Sequence, residues 1–204
     1  MEGLAEGYRR FRHAGWREHR ERFKALAARG QSPPTLVVAC SDSRVDPQMI
    51  FGAAPGELFV VRNVANLVPP YAPDGAAHGT SAALEFGVRA LGVGQVVVMG
   101  HALCGGVRAL LEGAPAETPD FVEPWMRIAE PARRIAMRCE PGEAHQECCE
   151  HETVRLSARN LMTFPWIAER VAAGRLRIRG FHFGIKSGAL REVGVDGAET
   201  TIAP

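Results

Sequence analysis

The chain has 204 residues, is 46% hydrophobic, and carries 24 Lys plus Arg against 23 Asp plus Glu, a formal net charge of +1. That length and apolar content suffice for one buried core, and the near-neutral balance lacks the basic footprint that a nucleic-acid partner needs. No apolar run reaches bilayer length and the start Met1-Glu2-Gly3-Leu4-Ala5-Glu6 has no basic segment leading into an apolar one, so the expectation is a cytoplasmic protein without a membrane partner.

Residues 2–28 set Leu4, Tyr8, Phe11, Trp16, Phe23 and Leu26 among arginines and glutamates in a loosely helical pattern. Residues 1–30 are therefore expected to be an N-terminal helical arm of the same domain, with large apolar groups suited to docking on a partner subunit. After Gln31-Ser32-Pro33-Pro34 comes a β-branched apolar run, 35–39, which reads as a buried strand, and 58–61 and 95–99 repeat it. Between the last two, 80–91 has helical spacing through Ala83, Leu84, Val88 and Leu91. Strand, helix and strand in this order imply right-handed parallel crossovers.

Farther on, 112–124 holds Pro115, Pro119 and Pro124 and reads as a loop, followed by helices at about 125–138 and 150–173, the second interrupted at Pro165. Strands near 175–183 and 189–193 close the chain, joined by the hairpin-like Gly184-Ile185-Lys186-Ser187-Gly188. The fold class is thus α/β, a mostly parallel central sheet flanked by helices, with the helical arm at its N-terminus; 31–204 form the one α/β domain.

Two segments carry chemistry. Cys40-Ser41-Asp42-Ser43-Arg44 lies just past the first strand, and His101-Ala102-Leu103-Cys104-Gly105-Gly106 just past the third, where open α/β sheets place their sites. Cys40, His101 and Cys104 make a sulfur and nitrogen donor set suited to Zn²⁺, and three protein ligands leave a fourth position for water, as a catalytic site requires. A structural zinc module would present paired Cys-x-x-Cys knuckles instead. Asp42 can accept a hydrogen bond from a zinc-bound hydroxide while Arg44 grips the carboxylate through its planar fork. The apolar run 107–111 after the two glycines puts Cys104 at a helix N-terminus, which favours a thiolate.

All five cysteines are expected as thiols, given the reducing compartment. Cys139, Cys148 and Cys149 lie near His145 and His151, but 139–145 reads as a turn and two adjacent cysteines do not both reach one metal without strain, so no second zinc is expected there.

With Pro55-Gly56-Glu57-Leu58-Phe59-Val60-Val61-Arg62-Asn63-Val64-Ala65-Asn66 lying between those two segments, residues 31–193 resemble the β-class carbonic anhydrases. The resemblance implies reversible hydration of CO₂ to bicarbonate and a proton by attack of a zinc-bound hydroxide. It also implies one Zn²⁺ per subunit on Cys40, His101 and Cys104, an Asp42–Arg44 catalytic dyad, and a homodimer or homotetramer with its sites at the subunit interface. Within the family the chain resembles the plant-like group: Gln31 matches a glutamine that hydrogen-bonds substrate, and Phe59, Val64 and Phe86 match an apolar CO₂ pocket, Phe86 replacing a tyrosine. Where the other group binds inhibitory bicarbonate through a tryptophan, an arginine and a tyrosine, this chain has Val37, Arg62 and Phe183. An open site is expected near and above neutral pH, with Asp42 a metal ligand only in a closed state. His78, His145, His151 and His182 are all candidates to carry the proton away. Two other readings use the same residues, a hydrolase of carbonyl sulfide or carbon disulfide and a non-catalytic module stapled by zinc.

Overall fold

The computed structural model describes residues 2–139, 143–195 and 197–203. Two helices, α1 (Glu2–His13) and α2 (Gly15–Arg29), come first and bury no residue of their own. Then follow β1 (Thr35–Cys40), α3 (Pro47–Ile50), β2 (Leu58–Asn63), a 3-10 turn at Val64–Asn66, α4 (Gly79–Glu85) with a π-helical last turn at Phe86–Ala90, and β3 (Gln95–His101). The second half holds α5 (Gly105–Glu112), α6 (Val122–Met126), α7 (Glu130–Ala136), α8 (Glu143–Leu161), α9 (Pro165–Ala172), β4 (Arg177–Phe183), β5 (Leu190–Val193) and β6 (Glu199–Ala203).

The strands form one sheet in the order β2-β1-β3-β4-β5-β6, parallel through β4 and antiparallel after it. From β1 the chain steps outward to β2 and then returns across β1 to β3, so the direction of winding reverses between β1 and β3. The carboxyl ends of these two strands therefore border a topological switch point, the usual site of an open α/β sheet. Leu36 to Ala39 and Val96 to Met99 are almost wholly buried because both faces of the sheet are covered. On one face Val37, Ala39, Val97 and Met99 pack with Met126, Ala129 and Leu156, and on the other Leu36, Val38, Val96 and Val98 pack with Leu84, Val88, Phe164 and Ile167. Gly100 and Gly180 let α8 approach the sheet: a Cβ at either would stand 2.6 or 2.7 Å from a Val154 methyl.

Several boundaries differ from the sequence reading. Helix α8 begins at Glu143, so His145 is helical and not part of a turn; 140–142 lie outside the described residues. Helix α6 begins at Val122, inside the expected loop, and β6 was not expected at all, since its Glu199-Thr200-Thr201 start is polar and is recruited only by pairing with β5. The expectation of five thiols is corrected as well: Cys139 and Cys148 form a disulfide, while Cys40, Cys104 and Cys149 are free. No helix among the described residues is long and apolar enough to cross a membrane.

Candidate metal centre

Cys40 and His101 are the last residues of β1 and β3, and Cys104 is the N-cap of α5, so three elements converge at the switch point. One donor atom of each residue lies within 4.8 Å of the other two, and all three side chains are buried. The sulfurs of Cys40 and Cys104 are 3.9 Å apart. The Cys104 thiol and then His101 draw the Cys40 thiol toward thiolate, whereas the same sulfur contact and burial push the Cys104 thiol up. The His101 Nδ1–H donates to the Ala102 carbonyl at 2.9 Å, so the neutral ring carries its lone pair on Nε2. That Nε2 is buried and has no hydrogen-bond partner. A buried imidazole lone pair facing two thiols fits a soft divalent cation and is unfavourable without one.

Asp42 flanks the donors without joining them. Its Oδ1 accepts from Arg44 Nε at 2.9 Å and from the Arg44 backbone N–H at 3.0 Å, its Oδ2 accepts from Arg44 Nη2 at 2.7 Å, and Oδ2 stands 3.9 Å from His101 Nε2. The Arg44 hydrogen bonds hold the Asp42 carboxyl well below the usual carboxylate range. Arg44 Nη2 also donates to the Leu103 carbonyl at 3.0 Å. Leu103 sits at φ 59°, a left-handed conformation costing a non-glycine residue roughly 1–2 kcal/mol, so the loop between His101 and Cys104 is held in place by its surroundings.

Three supporting groups had no signal in the sequence for the contacts they make. Arg62 donates to the carbonyls of Cys40 at 2.9 Å, Asp42 at 2.7 Å and Val45 at 2.9 Å, and so clamps the whole 40–45 loop from β2. Glu150 on α8, 3% exposed, accepts the Cys104 N–H at 2.9 Å and anchors the second thiol-bearing turn. Trp125 Nε1 donates to the Val64 carbonyl at 2.8 Å and fixes the turn after β2. Only the folded chain brings these together. Arg62 was visible as a residue of interest, through its position in the resemblance, but not as a clamp.

The expected pocket residues separate into two places. Val64 packs against the apolar cluster that contains Cys104, tight against Gly106, where a Cβ would stand 2.7 Å from its Cγ1. Phe59 and Phe86 stack with each other, ring centroids 5.9 Å apart, but Phe59 pairs with Leu36, four residues before Cys40, or about 13 Å along the strand. Gln31 is exposed and precedes the amino end of β1. Within one chain, then, Gln31, Phe59 and Phe86 do not meet Cys40, His101 and Cys104. Of the four histidines considered for proton transfer, His78 is paired with Asp74 at 2.7 Å on an exposed turn, while His151 and His182 lie together in the core, ring centroids 4.4 Å apart. His145, on α8, has a buried Nε2 with no hydrogen-bond partner.

A family model described as carbonic anhydrase matches residues 35–190. The chain is 38% identical to "Beta carbonic anhydrase 3" of Arabidopsis thaliana over 196 residues, spanning 92% of this chain and 74% of that one. It is 37% identical to a carbonic anhydrase of Pseudomonas aeruginosa over 192 residues, spanning 93% and 86%. Among solved structures, the β-carbonic anhydrase CcaA matches with a TM-score of 0.91 at 34% identity, covering 100% of this chain and 92% of its own. A tetrameric β-carbonic anhydrase of Sordaria macrospora matches with 0.82 at 27% identity, covering 98% of each. With the matched span enclosing β1 through the start of β5 and every donor of the metal centre, the chain belongs to the β-class carbonic anhydrases, a family of lyases that hydrate carbon dioxide.

Proposed function

We propose that this chain hydrates CO₂ reversibly to bicarbonate and a proton, with one Zn²⁺ per subunit held by Cys40, His101 and Cys104. The observation that carries the reading is the partnerless lone pair of His101 Nε2 facing two buried thiols, beside an Asp42 carboxylate committed to Arg44. Bound there, Zn²⁺ supplies a Lewis acid that turns water into a nucleophile near neutral pH.

The chain's own residues do the rest. Asp42 accepts a hydrogen bond from the attacking oxygen and so fixes the direction of the lone pair offered to CO₂. Arg44 keeps Asp42 ionised and turned away from the metal donors, which is the open arrangement; in a closed state Asp42 would leave Arg44 and become a fourth ligand. Val64 offers CO₂ an apolar wall. A zinc staple would need a fourth protein donor, and the adjacent candidate, Asp42, is already paired.

Gln31, Phe59 and Phe86 serve this chemistry only if they reach the site of a second copy. Their position supports that: β2 is an edge strand, Gln31 is exposed and Phe86 is 49% exposed. The arm supports it too, since Leu4, Tyr8 and Phe11 are 84%, 61% and 41% exposed and α2 is moored to its own chain by Arg22, which bonds the Pro55 carbonyl and Glu57. We therefore read residues 1–30 as a docking arm, 31–204 as the catalytic domain, and the working unit as a homodimer or homotetramer of the plant-like group, placed in the cytoplasm. Stopped-flow hydration of CO₂ by zinc-loaded protein, run beside turnover of carbonyl sulfide and carbon disulfide, tests the function. Stoichiometric zinc with no hydration above the buffer rate would overturn it.

A further inference from the structure

Behind the metal centre, α8, β4 and β6 bring a second set of donors together. Glu147 and His151 lie one turn apart on the same face of α8, His182 comes from β4, and one donor atom of each lies within 4.8 Å of the other two. The hydration chemistry proposed above assigns no step to any of the three.

The hydrogen bonds define the tautomer of each neutral imidazole. A carboxylate only accepts, so the contact of His151 Nδ1 with Glu199 Oε1 at 2.8 Å puts the proton on Nδ1 and leaves the lone pair on Nε2. That Nε2 is buried, in a side chain 8% exposed, and has no hydrogen-bond partner. In the same way His182 Nε2–H donates to Glu150 Oε2 at 3.1 Å, which leaves the lone pair on Nδ1. Each imidazole thus has one nitrogen held by a carboxylate and the other free, the arrangement that orients metal-binding histidines and raises their basicity. Burial, and then the neighbouring His182, hold His151 below its ordinary value, the direction that favours the neutral ring.

We propose that Glu147, His151 and His182 form a second divalent-cation site, with His151 Nε2, His182 Nδ1 and a Glu147 oxygen as donors and Glu199 and Glu150 orienting the two rings. Two imidazoles and one carboxylate select a borderline cation such as Zn²⁺, Co²⁺ or Ni²⁺ over Mg²⁺ or Ca²⁺. The three donors must draw in to the roughly 3.4 Å mutual spacing of a tetrahedral ion. Glu147 can make that movement because its side chain is 49% exposed. The cation has a way in through a cleft lined by Glu147, Glu150, His182, Gly184 and Arg191. Two positive groups oppose it: Arg191, which pairs with Glu147 at 2.8 Å, and Arg155, which pairs with Glu199 at 2.8 Å and with Glu152 at 2.6 Å. Lys186 lines the same cleft.

The test is a titration with Co²⁺ of the full-length protein carrying one equivalent of zinc, followed by absorption and by metal analysis after gel filtration. The expected result is one Co²⁺ per chain with d–d bands and no thiolate-to-cobalt charge transfer, while the zinc content stays constant. Glu147→Gln, at an exposed position, and His151→Ala should each weaken Co²⁺ binding by about 100-fold or more, and Glu199→Gln by about 10–100-fold. Arg191→Gln should tighten it several-fold by releasing Glu147. Three results would overturn the site: no Co²⁺ beyond the displaced zinc, bound Co²⁺ carrying thiolate charge transfer, or affinity unchanged in Glu147→Gln.

Discussion

Replacing Glu150 by alanine removes the acceptor for two buried donors, the Cys104 N–H and the His182 Nε2–H. Each buried donor left without a partner costs about 1–3 kcal/mol, so the pair together amounts to about 2–6 kcal/mol. Gln146 also donates to Glu150, but it is half-buried and can turn to water. Deleting a buried carboxylate returns part of its desolvation penalty, so we expect a net loss of about 2–4 kcal/mol, a large share of the roughly 5–15 kcal/mol by which a domain is stable. The turn bearing Cys104 should loosen at the same time, and zinc should bind about 10–100-fold more weakly. Urea unfolding of the metal-free protein gives the first quantity, and competition with a chromogenic chelator the second. A stability change below about 1 kcal/mol together with unaltered zinc affinity would refute the view that α8 holds the metal loop.

Arg44→Ala should keep its zinc yet lose about 10–100-fold or more in kcat/KM, because Asp42 is freed from its fork; kinetics equal to wild type would reject the dyad. Two thiolates neutralise the charge of a bound Zn²⁺, so the kcat/KM profile should rise with a midpoint near pH ~8 rather than the ~7 of a three-histidine site, and a plateau already reached at pH ~6.5 would contradict this. Because the folded-state pKa of Asp42 is lowered, its contribution to stability is complete above the unfolded value of about 3.9 and is lost only as pH falls through the folded value. The stability gap between wild type and Asp42→Asn, read from urea unfolding, should thus stay level between pH ~5 and ~8 and shrink only in stronger acid. Removing residues 1–28 should weaken self-association through loss of the exposed Leu4, Tyr8 and Phe11 face, and an unchanged sedimentation profile at micromolar concentration would count against the docking arm.

What the sequence determined by itself was whatever depends on local pattern. Continuous β-branched runs identify β1 and β3 because a strand covered on both faces has no polar alternation to disguise it, and the half-buried edge strand β2 repeats the apolar run. The cluster of Cys40, His101 and Cys104 was legible because Cys40 and His101 end such runs and Cys104 follows His101 by three residues, and because Asp42 and Arg44 are close enough in the chain to meet by local geometry alone. The tertiary structure decided everything that depends on long loops closing. Glu150 reaches Cys104 across forty-six positions and Arg62 reaches the Cys40 carbonyl across twenty-two, and no spacing rule encodes contacts of that range. The three cysteines outside the metal centre sorted themselves by helix direction: Cys148 faces Cys139, while Cys149 points into the core, where burial pushes its thiol up to about 12. Because residues one apart on a helix point about 100° away from each other, Cys148 and Cys149 could not share a ligand, whereas Glu147 and His151, four apart, face one way. Their meeting with His182 and Glu199 required β4 and β6 to pack beneath α8, and only the assembled sheet supplies that register.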